Sequence, residues 1–169
     1  MDKLLVALAT HEYKHYEFHK QQIDMMKDII RSYQDEDKSR YAILLAQMQS
    51  GKSGTYLLVS LTMIYLKIVD RVYIISGTRD LELCSQTKNN VDNAIKEFIG
   101  ILTSIMISDI QNLSYYTEIL TNLSSVIKVV FNQNLKKEIK VIESKTLIIN
   151  DESHYAQAKS NVPYKQFWR

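Results

Sequence analysis

Apolar residues recur along this chain in two alternating rhythms, and the alternation predicts an α/β fold. Residues 12–33 carry Ile23, Met26 and Ile30 at spacings of three and four, with Lys20, Asp24 and Lys27 off that stripe, as in an amphipathic helix. The polar run 34-QDEDKSR-40 reads as a loop, and 41-YAILLA-46 as a short buried strand. Residues 52–67 read as a helix, and 71-RVYIIS-76, closed by Gly77, as a β-rich strand. Helical character returns over 79–98, with Leu83, Val91, Ile95 and Phe98 as core positions. Over 99–124 the pattern weakens: 101-ILTSIMI-107 suits strand or helix, and 111-QNLSYYTEILTNL-123 suits a helix. The runs 126-VIKVVF-131 and 146-TLIIN-150 read as further strands, with a short helix between them in 133-QNLKKEIKVI-142.

Strands alternating with helices predict a mainly parallel sheet with both faces covered. Ligands of such sheets bind at the carboxyl ends of the strands. Two polar stretches, 46-AQMQSGKS-53 and 151-DESH-154, fall at such ends. Composition agrees with this fold class. Four Gly and one Pro in 169 residues are too few for a turn-rich β fold. The chain is long enough for one domain with a substantial core, and no repeat or linker divides it.

A net charge of +2 does not by itself demand a nucleic-acid partner, although a basic face remains compatible with it. The single cysteine, Cys84, excludes an internal disulfide framework and fits a reducing, intracellular compartment. The N-terminal 1-MDKLLVALATHEYKHY-16 holds a short apolar patch, then charges and aromatics, and lacks a signal-peptide pattern. The apolar run 56-YLLVSLTMIYL-66 falls short of the roughly 20 residues a membrane span needs, so no membrane partner is expected.

The chemistry concentrates at the two strand ends. A phosphate-binding loop has the form G-x-x-x-x-G-K-[ST] between a strand and a helix. Here Ala46 replaces the first glycine, Gln49 and Ser50 precede the second, and Gly51, Lys52 and Ser53 complete the pattern. Gly51 lets backbone N–H groups face a phosphate without a Cβ in the way. Lys52 supplies a cation for the β- and γ-phosphates, and Ser53 a hydroxyl for Mg2+. The helix beginning there, through Gly54 and Thr55, adds its free N–H groups and dipole. After the last apolar run, Asp151 is placed to hold Mg2+ and Glu152 to polarise an attacking water. The same pair also fits a helix N-terminal signal or a solvated turn, and Gly-Lys-Ser also arises by chance. His11, His15 and His19, spaced by four, would share one helical face, although no carboxylate or Cys partner for a metal is evident there.

The pair AQMQSGKS and DESH resembles motifs I and II of superfamily-two helicases and translocases of the DEAD/DEAH type. The resemblance implies a RecA-like P-loop domain that binds Mg-ATP and works on DNA or RNA. In it, 72-VYIISGTRDL-81 is similar to motif Ia, whose loop touches the nucleic-acid backbone, so Thr78 and Arg79 become candidates. The segment 18-FHKQQIDMM-26 resembles the region of an adenine-reading glutamine, with Gln22 or Gln21 in that role. His154 would couple motif II to motif III. The sequence departs from the pattern at Gln49, where the family has glycine, and at Ser53, where threonine is commoner. The abundance of Asn, Ile, Lys and Tyr suggests an A+T-rich genome, as in a large DNA virus.

No Ser-Ala-Thr triplet of motif III occurs in 155-YAQAKSNVPYKQFWR-169. Residues 1–169 are therefore expected to form one RecA-like domain, the N-terminal half of a motor. The second domain would act in cis or in trans, and without its arginine finger turnover would be weak. Two alternatives remain. A nucleotide kinase would need an arginine cluster, whereas Arg31, Arg40, Arg71, Arg79 and Arg169 are scattered. A degenerate RecA-like interaction module would use the face left bare by the missing half.

Overall fold

The computed structural model describes residues 1–34, 51–76, 81–131, 134–139 and 145–151. The expected strand 41–46 lies outside these residues. Three strands, β1 (Arg71–Ser76), β2 (Ile127–Phe131) and β3 (Thr146–Asp151), form a parallel sheet in the order β2-β1-β3. Each matches an expected strand within one residue. The register sets Ser76 of β1 beside Phe131 of β2 and Asp151 of β3, so all three strands end along one edge.

Alternation along the strands separates two apolar faces. Val72, Ile74, Ile127, Val129, Leu147 and Ile149 join the main core. Tyr73, Ile75, Val130 and Ile148 turn to the other face and pack with Ile139, just beyond the short helix α6 (Leu135–Glu138). Residues that face apolar layers on both sides explain why these runs read as continuously apolar.

The main core is built by α1 (Asp2–Thr10), α2 (Lys20–Gln34), α3 (Lys52–Tyr65), α4 (Leu81–Ser108) and α5 (Leu113–Val126), with a 3-10 turn at Ile110–Asn112 before α5. Helix α3 is its centre. Gly54, Thr55 and every residue from Leu57 to Tyr65 are buried, and a helix apolar on all sides must be enclosed on all sides. Helix α2 packs on it through Met26 and Ile30, both 0 % exposed.

Two expectations are corrected, the start of the 12–33 helix and the burial of Leu83, and one open reading is resolved. The helix expected over 12–33 begins only at Lys20, because residues 11–19 form a non-helical segment whose amides bond to Glu97 of α4. The N-terminal apolar patch, to which the sequence pattern assigned no element, is part of a helix, α1, that buries Leu4 and Leu8. The ambiguous run 101–107 continues α4, which extends unbroken to Ser108. Leu83, expected in the core, is 48 % exposed, whereas Val91, Ile95 and Phe98 are buried as expected. Among the described residues, no helix is long and apolar enough to cross a membrane.

Candidate functional site

Gly51 opens α3 in the left-handed region, at φ 79°, where a Cβ is strained. It caps the helix without a side-chain hydrogen bond. The amide of Thr55 donates to the Gly51 carbonyl at 3.1 Å, closing the first turn. Helix geometry leaves the preceding N–H groups, those of Lys52, Ser53 and Gly54, without intrahelical acceptors. They point out of the N-terminus together with its partial positive charge. Lys52 and Ser53 are half-buried there, while Thr55, at 2 % exposure, also directs its hydroxyl toward the Gly51 carbonyl at 3.4 Å.

Gln22 reaches this turn from α2. It sits three residues after His19, and its Oε1 accepts the His19 backbone N–H at 2.9 Å. That is the return half of a capping box, which fixes where α2 starts. Its Nε2 donates to the Gly51 carbonyl at 3.0 Å. The amide is so close to α3 that a Cβ built on Gly54 would lie 2.2 Å from Nε2. Gly54 is therefore required by Gln22, a reason that the phosphate-loop pattern does not contain. Gln22 is 6 % exposed, so it is not a solvated helix residue.

Beside this contact lies a cavity of about 610 Å3. Residues 11–19 contribute His15, Tyr16, Glu17 and His19 to its lining, and Gln21, Gln22 and Gly51 complete it. The cavity and the N-terminus of α3 thus share Gly51. The sequence placed His15 and His19 on a helical face and gave Tyr16 no role, because the helical pattern of this segment hides the non-helical course that turns them to the cavity.

Asp151 ends β3, and the Tyr56 hydroxyl of α3 donates to its Oδ2 at 3.1 Å. Burial first, then the Asp151 charge, raise the Tyr56 phenol well above its ordinary value, against a smaller opposing bond from the Ser53 hydroxyl. Tyr56 therefore stays a neutral donor and ties the strand-end carboxylate to the first turn of α3. Its position three residues after Ser53 was the available signal, since that spacing puts the two on one helical face. Ser53 and Asp151 are hard oxygen donors of the kind Mg2+ prefers, and the uncapped helix turn beside them suits a polyphosphate.

The structure thus brings together Gln22, Gly51, Lys52, Ser53, Gly54 and Thr55 on adjoining turns of α2 and α3, and joins Asp151 to them through Tyr56. Ala46, Gln49, Ser50, Thr78, Arg79, Glu152 and His154 lie outside the described residues. The three histidines do not share a helical face. His11 Nε2 is 2.6 Å from Glu97, and His19 is 3.4 Å from Glu17. The carboxylate partner of His11 was invisible in sequence because it lies 86 positions away.

The family model described as type III restriction enzyme, res subunit, matches residues 15–169. No curated protein and no solved structure matches the chain.

Proposed function

The chain belongs to the type III restriction enzyme res subunit family, a helicase-like ATP-binding domain of RecA-like P-loop fold, and on that premise we propose that it binds Mg-ATP across the shared Gly51 turn. The observation that carries the reading is the continuity of the cavity with the α3 N-terminus, which lets one ligand span both. The N–H groups of Lys52, Ser53 and Gly54 receive phosphate oxygens, and the Lys52 ammonium adds a mobile charge over the β- and γ-phosphates. Mg2+ neutralises the phosphate charge when bound. Ser53 would offer it a hydroxyl, and Asp151 would offer a carboxylate at the strand edge. The cavity takes the base, with Gln22 as its polar edge. One Nε2 hydrogen and one Oε1 lone pair of Gln22 remain after its two backbone bonds, enough to read an adenine edge.

Glu152 polarises the attacking water, and His154 relays the state of the site onward. Thr78 and Arg79 contact the backbone of a nucleic-acid partner, DNA or RNA. A second RecA-like domain, in cis or in trans, would supply an arginine of the kind that accelerates transfer by about 10³–10⁵ in related motors. Isothermal titration calorimetry of the chain with Mg-ATP tests the binding step. Lys52→Ala is expected to weaken binding at least about tenfold, the order of a lost charge-assisted bond. Identical heats for wild type and variant would refute the reading.

A further inference from the structure

Glu97 lies within α4 at 3 % exposure, and the nucleotide reading makes no use of it. A buried carboxylate is costly unless its lone pairs are filled. Among the described residues, those of Glu97 are filled from one stretch of chain. The Lys14 amide donates to both oxygens at 3.1 Å, the His15 amide to Oε2 at 2.5 Å and the Tyr16 amide to Oε2 at 3.3 Å. The His11 ring meets Oε1 at 2.6 Å. Burial pushes the carboxyl up, but the His15 amide, the His11 ring and the Lys14 and Tyr16 amides outweigh it, leaving the group ionised and its pKa below the ordinary value.

Three successive amides converging on one anion form a nest, the backbone concavity that elsewhere takes a bound anion. In this protein a side chain fills it. The consequence reaches the cavity, because His15 and Tyr16 line it while their own amides are held by Glu97. Residues 11–19 are thus pinned at both ends, by Glu97 at His11–Tyr16 and by Gln22 at His19. Between them Phe18, 2 % exposed, packs its ring 5.3 Å from that of Tyr16. Without the carboxylate, three part-buried amides would lose the acceptor that fixes them, and the segment would be free to turn them toward water.

We propose that Glu97 is a positioning residue for the cavity: by anchoring the backbone of residues 14–16 it sets His15 and Tyr16 as a wall for the base and so favours a base-bearing nucleotide over a bare polyphosphate. This role rests on the nucleotide reading given above. Glu97 does not line the cavity, so its effect passes through the segment it holds.

The test uses the full chain, titrated by calorimetry with Mg-ATP and, separately, with Mg-tripolyphosphate, while hydrogen exchange follows amides 14–16. Glu97→Gln is expected to expose those amides to exchange and to weaken ATP about tenfold, with tripolyphosphate held within about twofold. Equal loss for both ligands, or unchanged ATP affinity with exposed amides, overturns the role of Glu97 alone. A wild-type chain that binds neither ligand overturns the nucleotide reading and this role with it. If Glu97→Gln does not fold, His11→Ala carries the test, since it leaves the carboxylate its three amides. A loss of about two- to fivefold confined to ATP supports the proposal, and a uniform or absent loss refutes it.

Discussion

Replacing Gly54 by alanine should destabilise this protein, although the same change in an ordinary helix stabilises it. A Cβ at position 54 would stand 2.2 Å from Gln22 Nε2, 2.6 Å from its Cδ and 2.8 Å from its Oε1. The Gln22 amide ends a flexible side chain, so it can move aside. What it gives up is the pair of bonds to the Gly51 carbonyl and the His19 amide, at 3.0 and 2.9 Å. Two hydrogen bonds at about 1 kcal/mol each give a loss of about 2 kcal/mol, more if either backbone group stays dry. Alanine returns at most about 1 kcal/mol of helix propensity. The net is a loss of about 1–2 kcal/mol, or a fall of about 2–8 °C in Tm for a domain of this size. Urea unfolding, with the midpoint and slope both fitted, measures it. The decisive control is the Gln22→Ala background, where the clash is gone and Gly54→Ala should stabilise by up to about 1 kcal/mol. The sign reversal corresponds to a coupling of about 2 kcal/mol between the two positions. A Gly54→Ala chain as stable as wild type, or equal effects in both backgrounds, would refute the reasoning.

Other consequences follow from the same contacts. Gly51→Ala faces both a φ of 79° and an approach of 2.7 Å to Gln22 Nε2, so thermal unfolding should show a loss of at least about 1–2 kcal/mol. Tyr56→Phe keeps the ring but removes the donor to Asp151; stability should change by less than about 1.5 kcal/mol, while the Mg2+ dependence of ATP binding shifts to higher Mg2+. An unchanged Mg2+ titration would remove Tyr56 from the site. The depressed Glu97 pKa gives a pH signature with a definite sign. Its stabilising contribution is complete above the ordinary carboxylate value of 4.5 and is lost as pH falls from there through the lower folded value. The stability gap between wild type and Glu97→Gln should be flat above about pH 6 and close on acidification, and a gap independent of pH would contradict it.

Sequence by itself determined the elements whose signal is local. Runs of β-branched residues mark β1, β2 and β3, because a strand buried on both faces needs apolar residues at nearly every position. Gly-Lys-Ser marked the start of α3, because a tight turn into a helix N-terminus has few chemical solutions. Both signals survive in any context, and they carry the family resemblance and the candidates Lys52, Ser53 and Asp151. Tertiary structure decided the rest, because the deciding partner was distant in the chain. Residues 12–19 have a helical pattern, yet a carboxylate more than 80 positions away accepts their amides, and this competes directly with the bonds a helix would make. Gln22 was a candidate by resemblance alone, and only the packing of α2 on α3 buried its amide and made Gly54 a steric necessity. Tyr56 read as one more apolar helix position, and only the packing of α3 against the end of β3 gave its hydroxyl a carboxylate to hold. Local patterns specify which backbone bonds a segment can make with itself, and only the folded chain shows which it gives up for a better acceptor elsewhere.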